Sequence, residues 1–487
     1  MGERAGDIGK GAEKVSRWIH FLAILSEVLF LFNLLIMVHE LGHLVAARWR
    51  GLVVERVGIW FGTPIWKRKL WGIEFSLGWI PAGGYVALPQ MGPVELLEGK
   101  VAEPDSSFPS VSPLDKIIVA AAGPVASLIL ALVFACVVWV VGRPVSESEL
   151  TTVIGYVVKG GPADRAGVRP GDRILEVDHH PVQQFQGMDD SAIAWRIVRS
   201  EGTSIHLKIE RQGKILDLQV VPERLDRGFF QRRGLRQILI LPAQTPVVAK
   251  VFPHSPAERA GIRPNDQILA VDGQKLLSPL ALGDYIAQQG NQPVRLTVRR
   301  GNTQWEVVVR PERPVGEDKP KLGIQWDLNG VVRIVHPDPW TQFRTSVAAM
   351  ASTISAILSP RSDIKPQHLS GPVGIMRFYY MLFESEQGWR LALWFSVLFN
   401  VNLALLNLVP IPVLDGGHIL LAVIEGLRGR PLKQETLQAL QTACATVLIG
   451  YMLYVTFFDV QDLPWRRSRE APPMRFAPPG VESGGSQ

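Results

Sequence analysis

WIHFLAILSEVLFLFNLLIMVHELGHLV, residues 18–45, decides how the rest of the chain is read. The run is long enough to cross a hydrocarbon core about 30 Å thick, yet it carries Glu27, Asn33, His39, Glu40 and His43. Polar groups at membrane depth are costly and are kept mainly where they pair or do work. A signal peptide is the competing reading. The apolar run is too long for one, and no small-residue cleavage site follows it.

Three uncharged runs further along also have spanning length. They cover 25 residues from Ile117 to Val141, 24 from Leu391 to Leu414 and 23 from Thr436 to Phe458. The expected fold class is therefore a multi-pass α-helical membrane protein with four transmembrane helices. In such a protein the net charge of +6 reads as loop charge facing an anionic lipid surface. Nothing resembles a nucleic-acid module, so the bilayer and not nucleic acid is the expected partner. Cys136 and Cys444 both fall inside spans, which argues against a disulfide framework.

Between the second and third spans the character changes to short alternating runs, Gly and Pro turns and scattered charge. PADRAGVRPGDRILEVD (162–178) returns as PAERAGIRPNDQILAVD (256–272), with 12 of 17 positions identical. Each copy ends alike, Arg211-Gln-Gly with Val221-Pro-Glu-Arg224 being answered by Arg300-Gly with Arg310-Pro-Glu-Arg313. Two copies of one domain of roughly 80 residues are expected. Pro256 suits a helix start, Gly261 its stop, and Ile268–Val271 a buried strand ending at an Asp272-Gly273 turn. These segments resemble PDZ domains, α+β folds that bind an extended peptide by adding it to a sheet edge.

His39-Glu40-Leu41-Gly42-His43 has the form H-E-x-x-H. Positions i and i+4 share one helix face, so both imidazoles can reach a single ion. A catalytic zinc takes three protein ligands and keeps a fourth position for water, whose pKa drops to about 7. Glu40 would take that water's proton and pass it to the leaving amine. On the motif alone, a helix bundle that satisfies these groups by interhelical hydrogen bonds stays open. A third ligand is offered by NLALLNLVPIPVLDGGH, residues 402–418. Pro410 and Pro412 cannot continue a regular helix, and irregular backbone at membrane depth is tolerated where it lines a protein or water cavity. Asp415 then comes from a broken helix end as an oxygen ligand. Other histidines, His179, His180 and His254, read as solvated loop residues, and His418 is surplus to the set.

HELGH together with N-x-x-P-x-P-x-L-D-G, here Asn407–Gly416, resembles the site-2 protease family, peptidase family M50. That resemblance implies zinc held by His39, His43 and Asp415, with Glu40 as the catalytic acid–base. It also implies that Asn402 and Asn407 engage substrate backbone. Two PDZ-like copies and LSGPVGI (369–375) resemble the regulator-of-sigma-E protease branch. AAAGPVAS (120–127) is similar to the same branch's second-span motif, with Ser127 where an asparagine is usual. PAGGYV (81–86) resembles the family's membrane-re-entrant β-loop, which implies that Gly84, Tyr85 and Val86 pair with substrate as a strand. Beyond Val86 the sequence departs from that pattern.

The organisation expected is a first membrane half (1–143) with spans about 18–45 and 115–141 and the β-loop about 70–90; PDZ domains over 144–228 and 236–314; a surface amphipathic helix and connection over 330–390; a second membrane half (391–459) with spans about 391–409 and 436–458; and a disordered tail, 460–487. Trp18, Trp139 and Trp465 read as interface anchors. Basic residues such as Arg48, Arg50, Lys67 and Arg428 favour cytosolic loops between spans one and two and between three and four, although Arg4, Lys10 and the tail arginines oppose this. By resemblance, the chain is an inner-membrane protease of bacteria with its PDZ pair outside the cytoplasm and its zinc toward the cytosol. It would cut a single-pass membrane protein, an anti-sigma factor or a signal-peptide remnant, after a first protease has trimmed it. The PDZ pair would hold a new C-terminus or filter by size. A silent scaffold is the competing class, against which an intact Glu40 argues. An HtrA-type serine protease fails for want of a trypsin-like domain.

Overall fold

The computed structural model describes residues 2–91, 111–224, 231–430, 434–463 and 474–476. The chain divides into two compact units. One comprises residues 1–143, 336–350 and 369–460, and the other 144–335, 351–368 and 461–487.

Among the described residues, four helices are long and apolar enough to cross a membrane: Val15–Trp49, Pro113–Val141, Gly388–Asn407 and Glu435–Gln461. The first of these lies within α1, which runs from Gly2 to Trp49. The second is α2, Pro113–Val141. The Ser112 hydroxyl accepts from the Asp115 N–H at the start of α2, Pro113 takes the first helical position, and Gly142 at φ 74° ends the helix. α2 is the hub, touching α1, helix Gly388–Asn407 and helix Asp415–Arg428. Small residues allow this. A methyl at Gly42 would sit 2.4 Å from the Ala122 carbonyl oxygen and 2.7 Å from the Ala126 Cβ, so α1 and α2 cross at near backbone contact.

The stretch Leu369–Gly374, within the connection expected over 330–390, instead leads into a helix at Pro372–Phe383. Proline is pre-shaped for a first helical position. The buried Asp459 carboxylate accepts from the N–H groups of Gly371 (2.8 Å) and Gly374 (2.9 Å) at that helix's start, where a negative charge is favoured. Tyr379 from the same helix is fully buried, its hydroxyl 2.9 Å from the Ser396 Oγ.

Between α1 and α2 lie β1 (Arg56–Phe61), β2 (Trp66–Leu70), β3 (Ile73–Leu77) and β4 (Ile80–Ala87). They form one sheet in the order β2-β3-β1-β4, so β4 is an edge strand. β1 is parallel to β3 and antiparallel to β4, with Gly58 opposite Tyr85 and Ile59 opposite Gly84. The register slips between Ile59 and Phe61, where Trp60 adopts φ 66°. The Trp60 indole N–H donates to the Asn33 Oδ1 of α1 at 2.6 Å, which ties this bulge to the helix. A polar residue at membrane depth therefore serves the sheet. Of the sequence beyond Val86, where the resemblance to the family's β-loop ends, residues 92–110 lie outside the described residues.

The second unit holds both repeats. In the first, a sheet of four strands runs Lys214–Val220, Ile205–Arg211, Arg173–Val177, His180–Pro181; in the second, the matching order is Thr303–Val309, Val294–Arg300, Gln267–Val271, Gln274–Lys275. Each closes its own core, Ile174, Ile193, Ile205 and Leu207 in one and Ile268, Leu282, Leu296 and Val298 in the other. The recurrence of Asp172/Asp266 and Arg211/Arg300 has one cause. Both carboxylates are almost fully buried, and each is gripped by two guanidinium nitrogens, at 2.7 and 2.7 Å in the first repeat and 2.6 and 2.7 Å in the second. That hydrogen-bonded carboxylate holds each arginine above its ordinary pKa.

The repeat limits differ from expectation. Ile240–Pro242, assigned on sequence to the second copy, pairs with Ile154–Val157 of the first, and Ile324–Trp326 closes the second by pairing with Val248–Val251. Each repeat thus ends in a strand that returns to its own beginning. Of the tail expected to be disordered, residues 464–473, with Trp465, and 477–487 lie outside the described residues, while Phe476 is buried. Helix Pro339–Leu358 covers the stretch expected to be amphipathic.

Candidate active site

Helical spacing puts His39 and His43 on one face of α1, and their rings lie 5.0 Å apart between centroids. Helix Gly388–Asn407 stops before Pro410 and Pro412, and a new helix begins at Asp415, as two prolines dictate. The reversal between them is tight. A methyl at Gly416 would meet the Leu408 carbonyl oxygen at 2.2 Å, and one at Gly417 the Ile411 carbonyl oxygen at 2.1 Å. The two glycines after Asp415 are therefore what lets the loop fold under the helix it precedes.

The result is a convergence. His39 Nε2 lies 3.1 Å from Asp415 Oδ2, His43 Nε2 3.3 Å from Asp415 Oδ1, and the two Nε2 atoms 3.3 Å apart. Among the described residues these three form the one group of His, Cys, Asp or Glu able to hold a metal, with ligand atoms all within 4.8 Å. Both histidines are buried. Two imidazoles and a carboxylate make a donor set that suits zinc and leaves a fourth position open.

α2 supplies the support. His43 Nδ1 lies 2.9 Å from the Val119 carbonyl oxygen, and His39 Nδ1 3.0 Å from the Ser127 Oγ. Protons on both Nδ1 atoms leave both Nε2 lone pairs turned into the cluster. Pro124 lies inside α2, where its missing N–H leaves the Ala120 carbonyl without its usual helical donor, one residue on from the Val119 carbonyl that faces His43. Between these two supports sits Gly123, where a methyl would be 2.2 Å from His43 Nε2 and 2.8 Å from His39 Nε2. Sequence reasoning gave Ser127 no such part and did not single out Gly123. The available signal was the four-residue spacing of 119, 123 and 127, which lines up one helix face.

Glu40, half-buried, stands beside the cluster. Gly84 of β4 packs against it, so that a methyl there would lie 3.5 Å from the Glu40 Cγ. Tyr85 points elsewhere, its ring over Gly58 and stacked on Phe61 at 6.2 Å and 12°. The structure thus brings Glu40 and Gly84 together, with Val86 two residues further along the same strand. Asn402 and Asn407 lie on helix Gly388–Asn407, and among the described residues no hydrogen bond joins either to this group. The Asn402 side-chain oxygen is buried with no partner among the described residues. His418 is one turn beyond Asp415 and outside the cluster.

A motif helix, a proline-broken helix and a buried two-histidine, one-aspartate cluster define a membrane metalloprotease. The chain belongs to peptidase family M50, whose model matches residues 13–451, and it is a zinc metalloprotease. It is similar to the regulator of sigma-E protease RseP of Escherichia coli (strain K12), with 29% identity over 91% of this chain and 99% of that protein. A Xylella fastidiosa (strain 9a5c) protein, whose name assigns it provisionally to the zinc metalloproteases, is 30% identical over 90% of this chain and 99% of its own length. Among solved structures, the PDZ domain of an SdrC-like protein from Listeria innocua matches 17% of this chain and 92% of its own, at 24% identity and a TM-score of 0.16.

Proposed function

We propose that this protease cuts the transmembrane segment of a single-pass membrane protein that another protease has already trimmed. The observation that carries the reading is the convergence of His39, His43 and Asp415 beside a glutamate against which Gly84 of an edge strand packs. His39, His43 and Asp415 would hold zinc, which when bound polarises the scissile carbonyl and makes water nucleophilic at neutral pH. Glu40 accepts the proton of the attacking water and returns it to the departing amine.

A transmembrane helix hides its amides in internal hydrogen bonds, so the segment has to unwind before it can be cut. Edge strand β4 suits the capture of an opened segment. The Ala87 carbonyl faces inward to the Glu55 N–H, so antiparallel alternation turns the backbone groups of Gly84 and Val86 to the open edge. A substrate strand added there lies next to Glu40. The unpartnered Asn402 oxygen and Asn407 are the side-chain candidates for the substrate's remaining amides. Trp66, Trp71 and Trp79 of the sheet region are strongly exposed, which supports a sheet dipping into the membrane interface.

The setting we infer is the inner membrane of a bacterium, with the PDZ-like repeats outside the cytoplasm and the zinc toward the cytosolic side. Similarity to a regulator of sigma-E protease supports an anti-sigma factor or a signal-peptide remnant as substrate. The repeats then exclude untrimmed proteins or hold a newly exposed C-terminus.

The deciding experiment compares the wild type with Glu40→Gln in proteoliposomes carrying a transmembrane reporter. Both should hold about one zinc per chain, and only the wild type should cleave. Cleavage by the variant would sink the assignment of Glu40.

A further inference from the structure

The fourth candidate span ends at Gln461, and the remaining sequence is polar and proline-rich. Within it Met474-Arg475-Phe476 is bracketed by Pro472-Pro473 and Pro478-Pro479. Proline pairs favour extended chain that has little conformational freedom left to lose on docking. The three residues between them are seated on the second repeat. The Arg475 carbonyl accepts the Val315 N–H at 2.8 Å, and Phe476 is 5% exposed. An aromatic ring that well covered in a polar tail has a built seat.

The seat is formed by the connection between strands Thr303–Val309 and Ile324–Trp326. Gly323, at φ 78°, ends it, and a methyl there would come within 2.8 Å of the Phe476 ring and 2.2 Å of the Ser255 Cβ. The missing side chain is therefore what admits the ring. The connection is braced from within, Arg259 pairing with Glu312 at 2.5 Å and Lys321 with Glu317. Lys321 and Glu312 also exchange both backbone hydrogen bonds, at 2.8 and 3.1 Å. A loop closed by paired backbone bonds, with one amide turned to the tail and a ring-sized gap beside Gly323, suits a short extended peptide.

We propose that Met474–Phe476 is a ligand in cis for the second repeat, and that the Val315–Gly323–Ser255 seat is a recognition site for extended peptides carrying an aromatic residue directly after a hydrogen-bonding carbonyl. The tail fills the site by default. Tethering gives it a high effective concentration, so a peptide arriving in trans has to displace it. The site is independent of the zinc chemistry.

The test uses the full chain in detergent beside a chain ending at Leu463. Hydrogen exchange at the Val315 amide should be about tenfold or more faster in the shortened protein and in Phe476→Ala. A labelled 11-residue peptide, EAPPMRFAPPG (470–480), should bind the shortened protein and bind the full chain about tenfold or more weakly, through competition with the tethered copy. The same peptide with alanine for Phe476 should bind neither. Unchanged Val315 exchange on removing the tail, or a wild-type peptide that binds neither protein or both equally, would overturn the proposal.

Discussion

Gly123 occupies a place where no other residue fits. It faces both imidazoles, and a single added methyl would stand 2.2 Å from one Nε2 and 2.8 Å from the other. Backbone and buried rings leave that methyl nowhere to go. Gly123→Ala is expected to fold, because alanine suits a helix, yet to lose its zinc and its proteolysis together; metal analysis alongside a cleavage assay checks this. Ser127 works differently, by holding His39 through the Nδ1. Removing such an outer partner weakens metal binding about 10–100-fold. Ser127→Ala should therefore bind zinc more weakly by that factor in a chelator competition, with activity restored by excess zinc. An unchanged zinc affinity would show that the hydroxyl has no positioning role.

At the scale of elements, β4 and the repeat sheets make separate demands. Val86 sits on an edge strand, where proline is tolerated because no ladder bond is lost, so Val86→Pro keeps the sheet but removes a donor from the open edge proposed to pair with substrate. A hydrogen bond contributes about 0.5–1.5 kcal/mol, so a loss of about two- to tenfold in cleavage, with zinc content unchanged, is expected from kinetics beside metal analysis. In the first repeat, Asp172→Ala removes the buried acceptor of Arg211. It should destabilise that repeat by about 1.5–3 kcal/mol, read as earlier cleavage within 144–242 under limited proteolysis.

These elements also mark where sequence reading succeeds and where it stops. His39 and His43 were legible because their relation is local, one helical turn. Asp415 was legible because two prolines announce a break. Gly123 and Ser127 were not: their four-residue spacing marks one face of α2, but what that face meets is decided by how closely α1 and α2 cross. The ends of the repeats were misjudged for a similar reason. The closing strands Ile240–Pro242 and Ile324–Trp326 pair with residues more than 70 positions earlier, and a non-local partner leaves little mark on a short run.

For the whole molecule, one chain carries a zinc metalloprotease and two repeats that each close their own core. If the repeats act as a filter, excising residues 144–335 with a flexible linker should leave cutting of a trimmed reporter intact. The same excision should permit cutting of an untrimmed reporter that the full chain refuses. Gel analysis of the two reporters side by side is sufficient, and refusal of the untrimmed reporter by the shortened chain would rule out a size filter.

Gly84 of β4 packs against Glu40, a methyl there lying 3.5 Å from the Glu40 Cγ, and Glu40 itself is only half-buried. On the proposed reading the carboxylate is thus approached from the strand side. A peptide laid along β4 would then roof the base, so that loose water is shut out by the same chain whose bond is to be broken.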